Sequence, residues 1–196
     1  QDAVNGTSYN VVITSDKYAD ISMQITYTAY TVTITDNVKS DDIILTVAGI
    51  DFSSGEMVPV IFTSGDEVAA GQYVGARVIN NGDVPLYLSE YDAEGNLIDR
   101  VDIGVTDADN ANGLIIIEID QDLTFVLNAK TKIDGAALSY KTTTYTGKAK
   151  KPSVTVTAVV NGETVPLNRY DYIVSYASNK NAGTGVVTVT GAGDYY

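Results

Sequence analysis

Apolar and polar positions alternate with a period of two along almost the whole chain. SYNVVITS, ISMQITYTAYTVTI, DIILTVAG, MVPVIF, GQYVGARVI, VPLYLSEY, NLIDRVDIG and LIIIEI all follow this pattern. They are rich in the β-branched and aromatic residues that fit a pleated, half-buried surface. Side chains alternate across a strand, so each segment presents one apolar and one more polar face. The breaks are turn-like: NNGD at 80–83, DAEGN at 92–96 and DADNANG at 107–113. Gly and Asn supply the positive φ that such turns need. No stretch carries helical periodicity. Nine or ten short strands at this spacing predict an all-β protein of the sandwich type.

Charge divides the chain. Residues 1–128 hold 4 Lys/Arg against 21 Asp/Glu, a net of −17, and residues 129–196 hold 8 against 4, a net of +4. The change falls near Asn128, where LNAKTKIDG opens a new run. It predicts two domains, an acidic unit at 1–128 and a second at 129–196. An acidic unit of this size repels nucleic acid and anionic membranes. The 196 residues are 44% hydrophobic, enough for real cores. No apolar run approaches the ~18 residues of a membrane-spanning helix. The chain begins at Gln1 without a leader-like apolar segment, and is expected to be a processed product or a fragment. It has no Cys and no His. That removes disulfides, thiolate metal sites and the side chain most used for proton transfer near neutral pH. Acid–base chemistry would fall to carboxylates, and nothing marks a pair of them as buried. The chain is therefore read as no enzyme, with no cofactor and no metal.

Two stretches resemble known families. RVINNGDVPL at 77–86 resembles the V-x-N-x-G-D-x-P-L hairpin of Ig-like sandwiches in exported bacterial proteins. On that reading a strand ending near Ile79 turns at Asn81-Gly82 into a second strand, Val84 to Tyr91. Asp92 to Gly95 then turns into a third. Residues 130–196 are more specific. Tyr145-Thr146-Gly147, Pro152, Val154, Val156, Asn161-Gly162, Asp171-Tyr172, Val174, Tyr176, Asn179, Asn181-Ala182-Gly183-Thr184, Val187, Val189, Gly191, Gly193 and Tyr195 match an Ig-like tandem repeat. That repeat belongs to large cell-surface proteins of Gram-positive gut anaerobes. The resemblance implies two Ig-like β-sandwich domains in tandem, at an extracellular, cell-surface location. Repeats of this type carry one more strand after Gly-x-Gly-x-Tyr, so an unpaired sheet edge is expected here. Tyr172, Val174 and Tyr176 share one strand face and are read as core, with hydroxyls reaching the rim.

Proteins with this repeat often carry glycan-binding parts. The resemblance therefore implies a non-catalytic carbohydrate-binding module for a neutral polysaccharide or oligosaccharide such as starch. The alternative is a structural stalk or adhesin segment with no small-molecule ligand, which meets another surface protein or nothing. The residues offer aromatic candidates: there are 14 Tyr, 3 Phe and no Trp. Flat rings stack on the C–H faces of sugars, and amides, carboxylates and guanidinium groups bind their hydroxyls. The candidates are Tyr18, Tyr27, Tyr30, Tyr87 and Tyr91, with Asp92, Asn96 and Arg100 as polar neighbours. Lys148-Ala149-Lys150-Lys151-Pro152 reads as the solvated approach to a strand. Asp107 to Gly113 with Glu118 has some residues of a calcium loop. The register fails, because positions five and six are Ala111 and Asn112 where a ligand and a Gly are needed. Thermal melts with calcium and with chelator are therefore expected to give the same midpoint. A calcium-dependent rise of several degrees would show the 107–113 turn to be a metal site.

Overall fold

The computed structural model describes residues 5–14, 19–51, 58–105 and 112–196. It is all-β: strands make up 59% of the described residues, and none of them is helical. Tyr18 and residues 107–111 of the DADNANG turn lie outside the described residues. The chain divides into two units, Gln1–Asn128 and Ala129–Tyr196.

Three sheets form the first unit. Strands β1 (Ser8–Ile13) and β2 (Ile21–Thr26) pair antiparallel as a two-stranded ribbon. A four-stranded sheet has the order β10-β7-β4-β5, made of β4 (Ile43–Asp51), β5 (Val58–Phe62), β7 (Tyr73–Asn80) and β10 (Asn112–Glu118). A five-stranded sheet has the order β6-β3-β11-β8-β9, made of β3 (Ala29–Asp36), β6 (Asp66–Ala69), β8 (Leu86–Tyr91), β9 (Leu97–Ile103) and β11 (Leu123–Ala129). The run ISMQITYTAYTVTI is two strands in two different sheets, divided at Tyr27-Thr28.

The apolar phase of each strand meets in one core. Val74, Ala76 and Val78 of β7, Val47 of β4 and Ile115 of β10 come from the four-stranded sheet. Val32 of β3, Leu86 and Leu88 of β8, Ile103 of β9 and Phe125 and Leu127 of β11 come from the other. All are at most 2% exposed. At about 1.5–3 kcal/mol for each buried large side chain, this cluster is the main stabilising term of the unit. The two sheets approach closely at Gly113 of β10. A Cβ there would lie 2.7 Å from Ile103 Cγ1, so only glycine fits.

The expected hairpin from Ile79 to Val84 is not what forms. β7 ends one sheet and β8 begins the other, so Asn81–Pro85 crosses between sheets. Asn80 makes that crossing. It is 2% exposed, its Nδ2 donates to Val84 O (2.9 Å) and Gly104 O (2.8 Å), and its Oδ1 accepts from Gly82 N (3.0 Å). A buried amide with every bond satisfied holds the corner where a two-residue turn would have folded the chain back. The expected turn at Asp92–Gly95 does form, and joins β8 to β9 as an antiparallel hairpin.

The second unit has five strands. β12 (Ile133–Leu138), β13 (Val154–Val160) and β14 (Glu163–Pro166) form one antiparallel sheet, and β15 (Tyr172–Ala177) and β16 (Val186–Gly191) form another. Asn161 and Gly162 close the β13–β14 turn at φ +52° and +83°. Tyr172 and Tyr176 are half-buried, and their hydroxyls donate to Val154 O (3.2 Å) and Pro152 O (2.6 Å). These bonds tie β15 to the start of β13. Thr131 forms a parallel bridge to Tyr195, bonded to Asp194 O and Tyr196 N. The apolar core here is thin, with Val156 and Ala158 fully buried.

The uneven cores give different sensitivities. Phe125→Ala is expected to cost the first unit about 3–5 kcal/mol. Calorimetry should show one transition lowered and the other unmoved. A uniform shift of all unfolding would show that Phe125 supports both units together.

Candidate functional site

The outer face of the five-stranded sheet is built by the same alternation that fills the core. Leu86 and Leu88 point inward, so Tyr87, Ser89 and Tyr91 share the opposite face of β8. Arg100 pairs across from Ser89, and Asp102 from Tyr87. The Arg100 guanidinium lies over the Tyr87 ring, 3.9 Å from its centroid, and its Nε donates to Asp102 Oδ1 at 3.1 Å. A cation so placed is attracted by the ring's negative face and held by its carboxylate partner. Ser89 between the two rings is 1% exposed. The same face continues over β11 with Thr124 and Asn128, and over β3 with Thr31, Thr33 and Thr35, all half-buried. The result is a face of half-buried hydroxyl and amide side chains, with Val126 among them and two half-buried tyrosines at one side. It can stack rings and exchange hydrogen bonds, and it carries one cation already neutralised by Asp102.

The turn after Tyr91 uses its own polar groups. Asp92 Oδ1 accepts from Asn96 N at 2.7 Å, and Asp92 Oδ2 accepts from Asn96 Nδ2 at 2.9 Å. Backbone bonds Asp92 N→Asn96 O and Gly95 N→Asp92 O, both 3.0 Å, complete it. The hydrogen bonds from Asn96 hold the Asp92 carboxyl below its ordinary pKa. Asp92 and Asn96 therefore shape the hairpin end beside Tyr91 before any ligand is considered.

Five of the eight candidate residues thus meet on one hairpin: Tyr87, Tyr91, Asp92, Asn96 and Arg100. Tyr27 and Tyr30 lie elsewhere. Tyr30 packs against the core on β3. Its ring is half-buried, because Tyr30 shares the inward phase of Val32. Tyr27 is half-buried between β2 and β3, and its backbone bonds Gly6 and Thr7 at the foot of the ribbon.

Reading the chain for aromatic residues passes over Glu90. Its side chain takes the inward phase of β8 after Leu86 and Leu88 and is 1% exposed. Neither carboxylate oxygen has a hydrogen-bond partner among the described residues. Burial, and to a smaller extent the facing Asp99, raises its pKa from 4.5 to about 7. The signal was present in LYLSEY: an acid on the apolar phase of an otherwise regular strand.

The folded state binds this proton more tightly than the unfolded chain does. Glu90's contribution to stability is therefore full below about pH 4.5 and is lost as pH rises through about 7, by up to ~3 kcal/mol. Denaturant titrations at pH 5 and pH 8 should show wild type less stable at pH 8, and Glu90→Gln should flatten the difference. A wild-type curve flat over this range would place the Glu90 carboxylate in contact with solvent or a cation. No protein-family model, curated protein or solved structure matches the chain, so this site stands on its own geometry.

Proposed function

We propose that the chain is a non-catalytic carbohydrate-binding module of a bacterial cell-surface protein, and that its first unit takes a neutral glycan such as starch. The observation that carries this reading is the Tyr87–Ser89–Tyr91 face with Arg100 laid across it. Tyr87 and Tyr91 are four residues apart on one strand, a spacing of about 13 Å that suits a short run of sugar rings rather than one monosaccharide. The arrangement is preformed: the sheet fixes both rings, and the Asp92–Asn96 bonds fix the turn beside them. Preformed sites limit the ordering cost that weak binding cannot meet. A neutral ligand is also indifferent to the −17 charge of the unit. With neither His nor Cys in the chain, binding is the economical reading.

A second reading has its own observation. In the β1–β2 register, Tyr9 faces Ile25, Val11 faces Met23 and Ile13 faces Ile21. These six side chains make one apolar ribbon face, and Ile13, Ile21 and Ile25 are each about half exposed. Such a face favours a stalk or adhesin segment that meets another protein.

Affinity electrophoresis in starch gels separates the two readings. Wild type is expected to be retarded, and Tyr91→Ala and Arg100→Ala are each expected to weaken retardation roughly five-fold, the loss of about 1 kcal/mol of stacking or cation contact. Wild-type migration unchanged across a panel of neutral glycans would favour the stalk. Retardation that persists undiminished in both variants would move the site off this face.

A further inference from the structure

The second unit contains a groove whose chemistry is the opposite of the rest of the chain. It encloses about 490 Å³, within the size range of small-ligand sites. One wall is the β12–β13 connection and the other is the β15–β16 connection. Lys141, Lys148 and Lys150 line the first, and Lys180 lines the second. No Asp or Glu lines it. The whole chain has 12 basic residues against 25 acidic ones, so a third of its cations line one cavity. None of the four lysines is in an ion pair among the described residues.

The walls are held together. Lys150 N donates to Asn179 O at 2.8 Å, and Asn179 Nδ2 donates to Lys150 O at 3.0 Å. Pro152, buried, anchors the first wall, and its carbonyl accepts the Tyr176 hydroxyl. Two tyrosines open onto the groove, Tyr140 at 37% and Tyr145 at 61% exposure. The remaining polar lining is hydroxyl and amide, including Thr143, Thr184 and Asn181. The sequence places these lysines in two segments some 30 residues apart, and Lys148 to Lys151 alone read as a solvated approach to a strand.

We propose that this groove is a second binding site, separate from the tyrosine face of the first unit, and that it takes an acidic polysaccharide, with lysines on the charged groups and Tyr140 and Tyr145 against the sugar rings. Unpaired ammonium groups provide attraction without a counter-charge to displace. The hydroxyls, amides and exposed rings match sugar better than they match phosphate alone. Charge density decides against nucleic acid. Duplex DNA carries a charge about every 1.7 Å, whereas a polyuronate carries one per sugar, and any long ligand must also tolerate the −17 unit of the same chain.

The test uses the full 196-residue chain and fluorescently labelled oligogalacturonate, read by anisotropy at low salt. Binding is expected, and it should weaken as salt rises toward about 0.3 M. Lys148→Glu with Lys180→Glu should lower affinity at least ten-fold. Lys132→Glu with Arg169→Glu, the same charge change on exposed residues outside the groove, should lower it less than about two-fold. Lys148→Gln with Lys180→Gln repeats the test should the charge reversal disturb folding, and Tyr91→Ala should leave this binding unmoved. Absence of binding at low salt overturns the proposal. So does equal loss in the control pair, which would reduce the effect to net charge. Tighter binding of a single-stranded oligodeoxynucleotide than of the uronate overturns the saccharide assignment.

Discussion

The structure of the first unit depends on one constraint: the inward phase of its strands must bury apolar side chains between two sheets. On β8 that phase holds Leu86, Leu88 and Glu90, and on β11 it holds Leu123, Phe125 and Leu127. Because side chains alternate, burying Leu86 and Leu88 also turns Tyr87, Ser89 and Tyr91 outward. The proposed site therefore forms from the same alternation as the core. A one-residue slip of β8 would bury two tyrosines and expose two leucines. The Asp92–Asn96 turn and the Arg100–Tyr87 stack hold the hairpin against such a slip.

Glu90 is where the constraint costs something. A carboxyl on the apolar phase, with no hydrogen-bond partner for either oxygen among the described residues, sits there because the flanking leucines set the strand's phase. Its neutral form suits the site and its charged form does not, so the core of an otherwise ordinary sandwich is sensitive to pH near neutrality. Asn80 is the contrasting case. It is equally buried but fully bonded, and it turns its polarity into the corner that separates β7 from β8.

The second unit is stabilised differently. With Val156 and Ala158 as its fully buried apolar residues, it relies more on side-chain-to-backbone hydrogen bonds. Tyr172, Tyr176 and Asn179 each reach across to the segment around Pro152. Those bonds hold the two long connections to each other, with the lysine-lined groove between them. Polar bonds that fix loops at a set distance make a better-defined site than an apolar core that draws the loops inward.

The sequence by itself determined the all-β class, the pairing of β8 with β9 and the shared face of Tyr172, Val174 and Tyr176. These follow from local rules, a period of two and turn residues at set positions, and need no knowledge of distant contacts. The inward position of Glu90 was equally legible, since its phase is that of Leu86 and Leu88. What the tertiary structure decided is which sheet each strand joins. Asn81-Gly82 reads locally as a tight turn, yet Asn80 finds Gly104 O across the fold and carries the chain to the second sheet. Tyr30 reads as one more ring in a run of tyrosines and threonines, yet it packs partly buried against the core where β3 pairs with β6. Lys148 and Lys180 share no local pattern, and only the bonds between Lys150 and Asn179 bring their segments together. Strand phase is encoded within a few residues. Strand partners and loop neighbours are set by packing between segments far apart in the chain, and no local pattern records that.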